Sequence, residues 1–263
     1  KVIVNFGMWP EPDVDEGWKE KEFDEFVEKA KVDYKDKTTN GCFAPWMMYK
    51  EDFLAIGGHD PAFKSAREDS DVFNRLVLNG YELIQSWQSF VYHLTARGGQ
   101  FQHGKLTTEH SQKSEEWQKL MNNSTREFYR KWGSTVNHDS LMMPIISPKY
   151  DIGFVITNCN YDVLVNLEPW CSNIYGDRDT DSYIKQEQPN TFFDLNKRVC
   201  TIHKIAQNDV VVEFDAKLLN SNERFQFLTQ LPQVLKDTGE VGEMEYDIFK
   251  ITINKLETYE KEL

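Results

Sequence analysis

Apolar residues recur at helical spacing in several stretches of the chain. Within the charge-dense residues 16–32, Trp18, Phe23, Phe26, Val27 and Ala30 fall close to one face, which predicts a surface helix. Residues 50–56 read as a short helix ended by Gly57-Gly58. Residues 68–79 put Val72, Phe73, Leu76 and Val77 on one face, with Gly80 where a helix would stop and acidic residues at its start. A longer helix over 114–132 would bury Trp117, Leu120, Met121, Phe128 and Trp132. Strand-like runs separate these helices: Val2-Ile3-Val4, the apolar residues 42–48 and residues 83–93, after which Gly98-Gly99 opens a polar loop.

The pattern weakens over 137–148, where Pro144 and Pro148 mark a boundary. Beyond it, residues 152–157, 199–205, 210–214 and 247–254 read as strands. Phe227, Leu228, Leu231, Val234 and Leu235 give one helix an apolar face, and Pro232 predicts that this helix is kinked or shortened. The expectation is an α/β unit over residues 1–146 followed by a small α+β domain over 147–263, strands covered by one or two helices.

Composition narrows the function classes. A 263-residue chain that is 40% hydrophobic can bury a sizeable core, divided here into two units. A net charge of −13 argues against nucleic acid or an anionic membrane as partner, since both select surplus Lys and Arg. A nucleoside diphosphate stays compatible with it, because a bound metal ion can neutralise the phosphates locally. Cys42, Cys159, Cys171 and Cys200 lack the paired spacing of a zinc or redox centre and read as buried free thiols. No apolar run reaches the length of a membrane span and no signal-peptide pattern opens the chain, so a cytoplasmic protein is expected.

One ordered set of short motifs carries chemistry: Asn40-Gly41-Cys42-Phe43, Lys50-Glu51-Asp52-Phe53, Gly57-Gly58-His59-Asp60, Glu68-Asp69-Ser70-Asp71, Arg75, Gly80-Tyr81 and Val91-Tyr92-His93. Taken in order, with Phe128 to Gly133 added, the set resembles the distal half of family 2 inverting glycosyltransferases of the GT-A fold, over residues 38–133. That resemblance implies transfer of a sugar from a nucleotide-sugar donor to a hydroxyl, glycan-like acceptor, assisted by Mn²⁺ or Mg²⁺. An inverting transfer needs a carboxylate to take the acceptor proton. Asp69 is the candidate base, with Glu68 beside it, at a helix start that favours the ionised form while the neighbouring carboxylates oppose it. Gly57 and Gly58 allow a tight turn and close backbone approach to substrate. Asp60 either caps that turn or bonds a sugar hydroxyl. Asp71 joins the substrate-binding set, as does Trp46, whose ring could stack on a sugar. The resemblance assigns His93 to the metal or diphosphate.

The family's metal-binding D-x-D motif after an apolar strand is not evident. Asp13-Val14-Asp15 has the letters but sits among Pro10, Pro12 and Gly17, as in a turn. The chain opening at Lys1 in a strand-like run leads to the expectation that the donor-binding half lies upstream. The chain as given would then neither bind nor turn over a nucleotide-sugar, and it would self-associate through an uncovered sheet edge. A non-catalytic glycan-binding or assembly module with a degenerate GT-A fold is the alternative.

Overall fold

The fold is given by a computed structural model that describes residues 2–8, 20–41, 45–64, 66–92 and 115–258. Two units divide the chain. The first comprises residues 1–122, 136–145 and 263, and the second residues 123–135 and 146–262.

In the first unit, strands β1 (Val2–Met8), β2 (Thr38–Asn40), β3 (Trp46–Met47) and β4 (Glu82–Val91) form a four-stranded sheet in the order β2-β4-β1-β3. The central pair β1 and β4 is parallel, and the two outer strands run antiparallel to their neighbours. Helix α1 (Glu20–Asp33) lies on β4, where Phe26 meets Phe90 edge-on at 4.9 Å and Phe23 meets Tyr92 at 5.4 Å. Its apolar face is the one expected from the spacing. Helices α2 (Lys50–Ala55) and α3 (Glu68–Leu78) complete a small core of Ile56, Val72, Phe73, Leu76, Tyr81 and Leu83.

Helix α3 stops where its sequence says it should. Gly80 adopts φ 75°, and the amides of Gly80 and Tyr81 return to the carbonyls of Val77 and Leu76 at 3.0 Å each. This paired closure satisfies two carbonyls that the helix end leaves open, and it needs a residue tolerant of positive φ. Tyr81 is thereby carried into the core. Helix α4 (Glu115–Trp132) begins in the first unit and passes at residue 123 into the second.

The second unit holds a six-stranded sheet in the order β7-β6-β5-β8-β10-β9. The strands are β5 (Ile152–Thr157), β6 (Asn173–Gly176), β7 (Val199–Thr201), β8 (Val210–Asp215), β9 (Gly242–Tyr246) and β10 (Phe249–Ile253). The first four are parallel, while β10 runs antiparallel to both β8 and β9. Helix α5 (Tyr161–Leu167) links β5 to β6, α6 (Thr180–Glu187) and the short α7 (Leu195–Arg198) link β6 to β7, and α8 (Asn222–Thr238) links β8 to β9. Helices therefore alternate with parallel strands, so the unit is α/β; the expected α+β arrangement is corrected. The reason lies in strand burial: Ile152, Phe154 and Ile156 on one face of β5 are at most 2% exposed, and Gly153 on the other face is buried too. A strand buried on both faces needs helical cover on both sides.

One local expectation also changes. Helix α8 runs through Pro232 without a break, because Pro232 is buried with Leu228, Leu231 and Leu235, and that packing offsets the missing hydrogen bond. The strand expected over 247–254 is present as β10, and it forms a hairpin with β9 in which Tyr246 pairs with Phe249 across the two-residue turn Asp247-Ile248.

Candidate functional site

Two of the motifs singled out in the sequence, Gly57-Gly58 and the acidic start of α3, are joined through Arg75. Ala66 and Arg67, neither of them glycine, both adopt left-handed backbone, φ 77° and 71°, directly before the first helical residue, Glu68. Each such residue costs roughly 1–2 kcal/mol, and this kind of strain concentrates at functional sites. The turn delivers three carboxylates into the first turn of the helix, where the helix field favours negative charge.

These three carboxylates part company. Asp71 is completely buried and paired with Arg75: its Oδ2 accepts from Nε at 2.9 Å and lies 2.8 Å from the guanidinium's second terminal nitrogen. Arg75 spends its remaining reach on the preceding turn, donating to the carbonyls of Ile56 and, at 2.6 Å, Gly58. Gly57 (φ 91°) and Gly58 (φ 68°) give that turn a shape that side-chain-bearing residues rarely adopt, and it directs the two carbonyls at Arg75. The carboxylate of Asp71, expected in the substrate-binding set, is withdrawn from solvent into the Arg75 pair.

Asp69, by contrast, is exposed. Its Oδ1 accepts from the amide and hydroxyl of Ser70 at 2.6 and 3.3 Å, which fixes the carboxylate without burying it. Glu68 is half-buried, and its Oε2 is enclosed with no hydrogen-bond partner among the described residues. A buried carboxylate oxygen without a partner costs about 1–3 kcal/mol or more, which a folded chain tolerates mainly where function asks for it.

The remaining candidates fall into place around this start. Asp60 accepts from the amide of Ala62 at 2.9 Å and so closes its own turn. Trp46 packs between Phe53, His59 and Phe73, with ring centroids 5.9–6.4 Å away, as part of the small core. Tyr81 donates to Asp52 at 3.0 Å and joins the Lys50-to-Phe53 motif to the Gly80-Tyr81 corner. Trp87 is covered by the Lys37 ammonium, 3.8 Å from its ring centre, and its indole N–H bonds Thr39. His93, Asp13, Asp15 and Cys42 lie outside the described residues. Among the described residues no group of three or more His, Cys, Asp and Glu side chains gathers as a metal site. No described helix is long and apolar enough to cross a membrane.

The second unit contains charged groups that its sequence did not announce. Arg130, with no side-chain exposure, bonds Glu127 at 2.6 Å, Glu168 at 2.6 Å and Glu187 at 2.9 Å. Arg126 bonds Glu187 at 2.9 Å and the Tyr183 hydroxyl at 2.8 Å, and Arg198 bonds Glu168 at 2.6 Å. Three arginines thus balance three glutamates. Burial alone would raise the Glu168 carboxyl, but Arg198 and Arg130 outweigh it and hold the group at about 2. Burial also pushes the Tyr183 hydroxyl and the Cys171 thiol up. The cluster ties α4, α6 and α7 together.

At the carboxyl ends of the parallel strands, Asp177 accepts from the amides of Asn158 and Cys159 at 2.9 and 2.8 Å. Asn158 in turn donates to Asp215. Open α/β sheets bind ligands at such edges, but here the loop amides that would hold an anion are already taken by Asp177. An open groove of about 360 Å³ lies elsewhere in the unit, between the start of α8 and the β9–β10 hairpin. Compared with protein-family models, curated proteins and solved structures, the chain finds no match.

Proposed function

We propose that the chain carries the base and acceptor side of an inverting, nucleotide-sugar-dependent glycosyltransferase. The reading rests on the resemblance over residues 38–133, and one observation carries it further. The strained Ala66-Arg67 turn presents an exposed Asp69 carboxylate beside a Glu68 oxygen that has no partner among the described residues, while Asp71 and Arg75 are spent on tying the Gly57-Gly58 turn to α3.

In this reading Asp69 accepts the proton of the acceptor hydroxyl as its oxygen attacks the anomeric carbon. The bond from that carbon to the nucleoside diphosphate breaks on the opposite face, and the diphosphate leaves with the electron pair. Arg75 and Asp71 act one step removed, by fixing the Gly57-Gly58 turn against α3. The described residues offer no ligand set for the expected Mn²⁺ or Mg²⁺, so no step is routed through an ion.

The test is transfer by the protein from a panel of nucleotide-diphosphate sugars, with Mn²⁺ present. Asp69→Asn should lower turnover by roughly 10² to 10⁴ while donor affinity holds. Equal turnover by the variant removes Asp69 as base. Glycan binding without any transfer supports a non-catalytic module instead.

A further inference from the structure

The groove between α8 and the β9–β10 hairpin has a polar and an aromatic side. Phe227 stacks on both Tyr246 and Phe249, with centroids 4.6 and 5.0 Å away and planes within 23°. Tyr246 is nevertheless 53% exposed. Its hydroxyl has no hydrogen-bond partner among the described residues. Beside it Asp247, at φ 51° in the hairpin turn, grips Arg224 through two bonds of 2.6 and 2.9 Å. Arg224 also donates to the Leu218 carbonyl at 2.6 Å and the Asn220 side-chain oxygen at 2.9 Å. Four donor bonds thus lock Arg224, the one cation among the described residues that line the groove, into the protein, and the Asn220 NH₂ is left without a described partner. Glu223 adds a further carboxylate on the rim.

This balance selects a ligand class. Two carboxylates against one committed guanidinium leave no positive charge for a phosphate, so a nucleotide is disfavoured. The groups that remain are a carboxylate acceptor, an amide donor, a phenol and an aromatic surface. Hydroxyls both donate and accept, so they can use all the polar groups. The axial C–H face of a pyranose offers weakly positive hydrogens to the negative face of a ring. The volume of about 360 Å³ falls within the roughly 300–1,000 Å³ of small-molecule sites.

We infer that this groove is a subsite for a neutral, polyhydroxylated saccharide, with Tyr246 as the platform and Asn220 and Asp247 as hydroxyl partners. The choice of a glycan rests on the glycosyltransferase reading, in which the second unit would hold an acceptor chain. Because Arg224 fixes the hairpin turn in advance, little ordering is needed on binding.

Calorimetric titration of the protein with cellotetraose, maltotetraose, mannotetraose and N-acetylchitotetraose, and with UDP as the charged comparator, tests the site. At least one tetrasaccharide should bind, and UDP should not displace it. Tyr246→Ala should weaken that binding by about tenfold or more, and Tyr246→Phe should keep it within about threefold. Asn220→Ala, an exposed change that leaves the core alone, should weaken it by about fivefold, which keeps the test valid if Tyr246→Ala unfolds. Failure of all four sugars to bind, displacement by UDP, or unchanged affinity in the folded variants would overturn the inference. The assay contains no donor and reads binding alone. Loss here with transfer intact therefore refutes the subsite alone, and loss of transfer with binding intact refutes the catalytic reading alone.

Discussion

Glu168 shows how far a single residue's role can lie from its letter. Its side chain is completely buried yet ionised, because Arg130 and Arg198 bond it from different helices. Its carboxyl sits at about 2, against an ordinary value of 4.5. A carboxylate lowered on folding stabilises the folded state fully above its ordinary value and loses that contribution as pH falls toward the folded value. Acid unfolding of the second unit should accordingly steepen between about pH 4.5 and 2, and Glu168→Gln should remove that steepening in circular-dichroism titrations. Arg130→Met leaves Glu168 and Glu127 short of a partner and should cost about 3–5 kcal/mol in urea unfolding. A cost near zero would mean that the cluster is dispensable. Nothing in the sequence marked Glu168 or Arg130, since their partners lie up to 57 residues away and a charged helix reads as a solvated face. Cys159 was legible as a buried thiol, and burial beside Asp177 and Asp179 pushes it up to about 12. It should resist iodoacetamide at pH 8 until the protein unfolds, as peptide mass spectrometry would record.

At the scale of elements, legibility followed periodicity and punctuation. Helix α3 could be read at both ends, from its acidic first turn and from Gly80. The Ala66-Arg67 turn before it could not, because two left-handed residues without glycine leave no trace in composition. Strand β6 and helices α5 and α6 were missed. Asn173–Gly176 is only four residues long, and α6 presents mostly polar positions with Tyr183 alone deeply buried among its apolar residues. The motif residues Gly57, Gly58, Asp71 and Arg75 were each legible, but their mutual bonding was not. That bonding yields a prediction: Arg75→Leu strands Asp71 in the core and releases two carbonyls, which should cost about 3–5 kcal/mol. Arg75→Lys, with one ammonium in place of a planar fork, should recover only part of it. Full stability of Arg75→Leu in thermal unfolding would show that the turn holds without its arginine.

On the scale of the whole chain, the proline-marked change of pattern near residue 146 was visible in sequence, and the contacts divide at residues 145 and 146 as well. The end of α4 behaves differently from the pattern. Residues 123–135 belong with the second unit, where Arg126, Glu127 and Arg130 enter the charged cluster and Tyr129 stacks on Trp170 at 4.1 Å. Those residues look in sequence like the polar side of an amphipathic helix, and only the fold supplies their partners. The second unit therefore should not be self-sufficient from residue 147 onward. A fragment of residues 115–262 keeps all three arginines and all three glutamates and should unfold cooperatively in urea. A fragment of residues 147–262 keeps Glu168, Glu187 and Arg198 but loses Arg126, Glu127 and Arg130, which leaves two buried or half-buried glutamates to share one cation. It should be at least about 3–5 kcal/mol less stable, enough to unfold a small domain of ordinary stability. Equal urea midpoints for the two fragments would show that α4 is an accessory to the second unit and that the cluster does not hold it together.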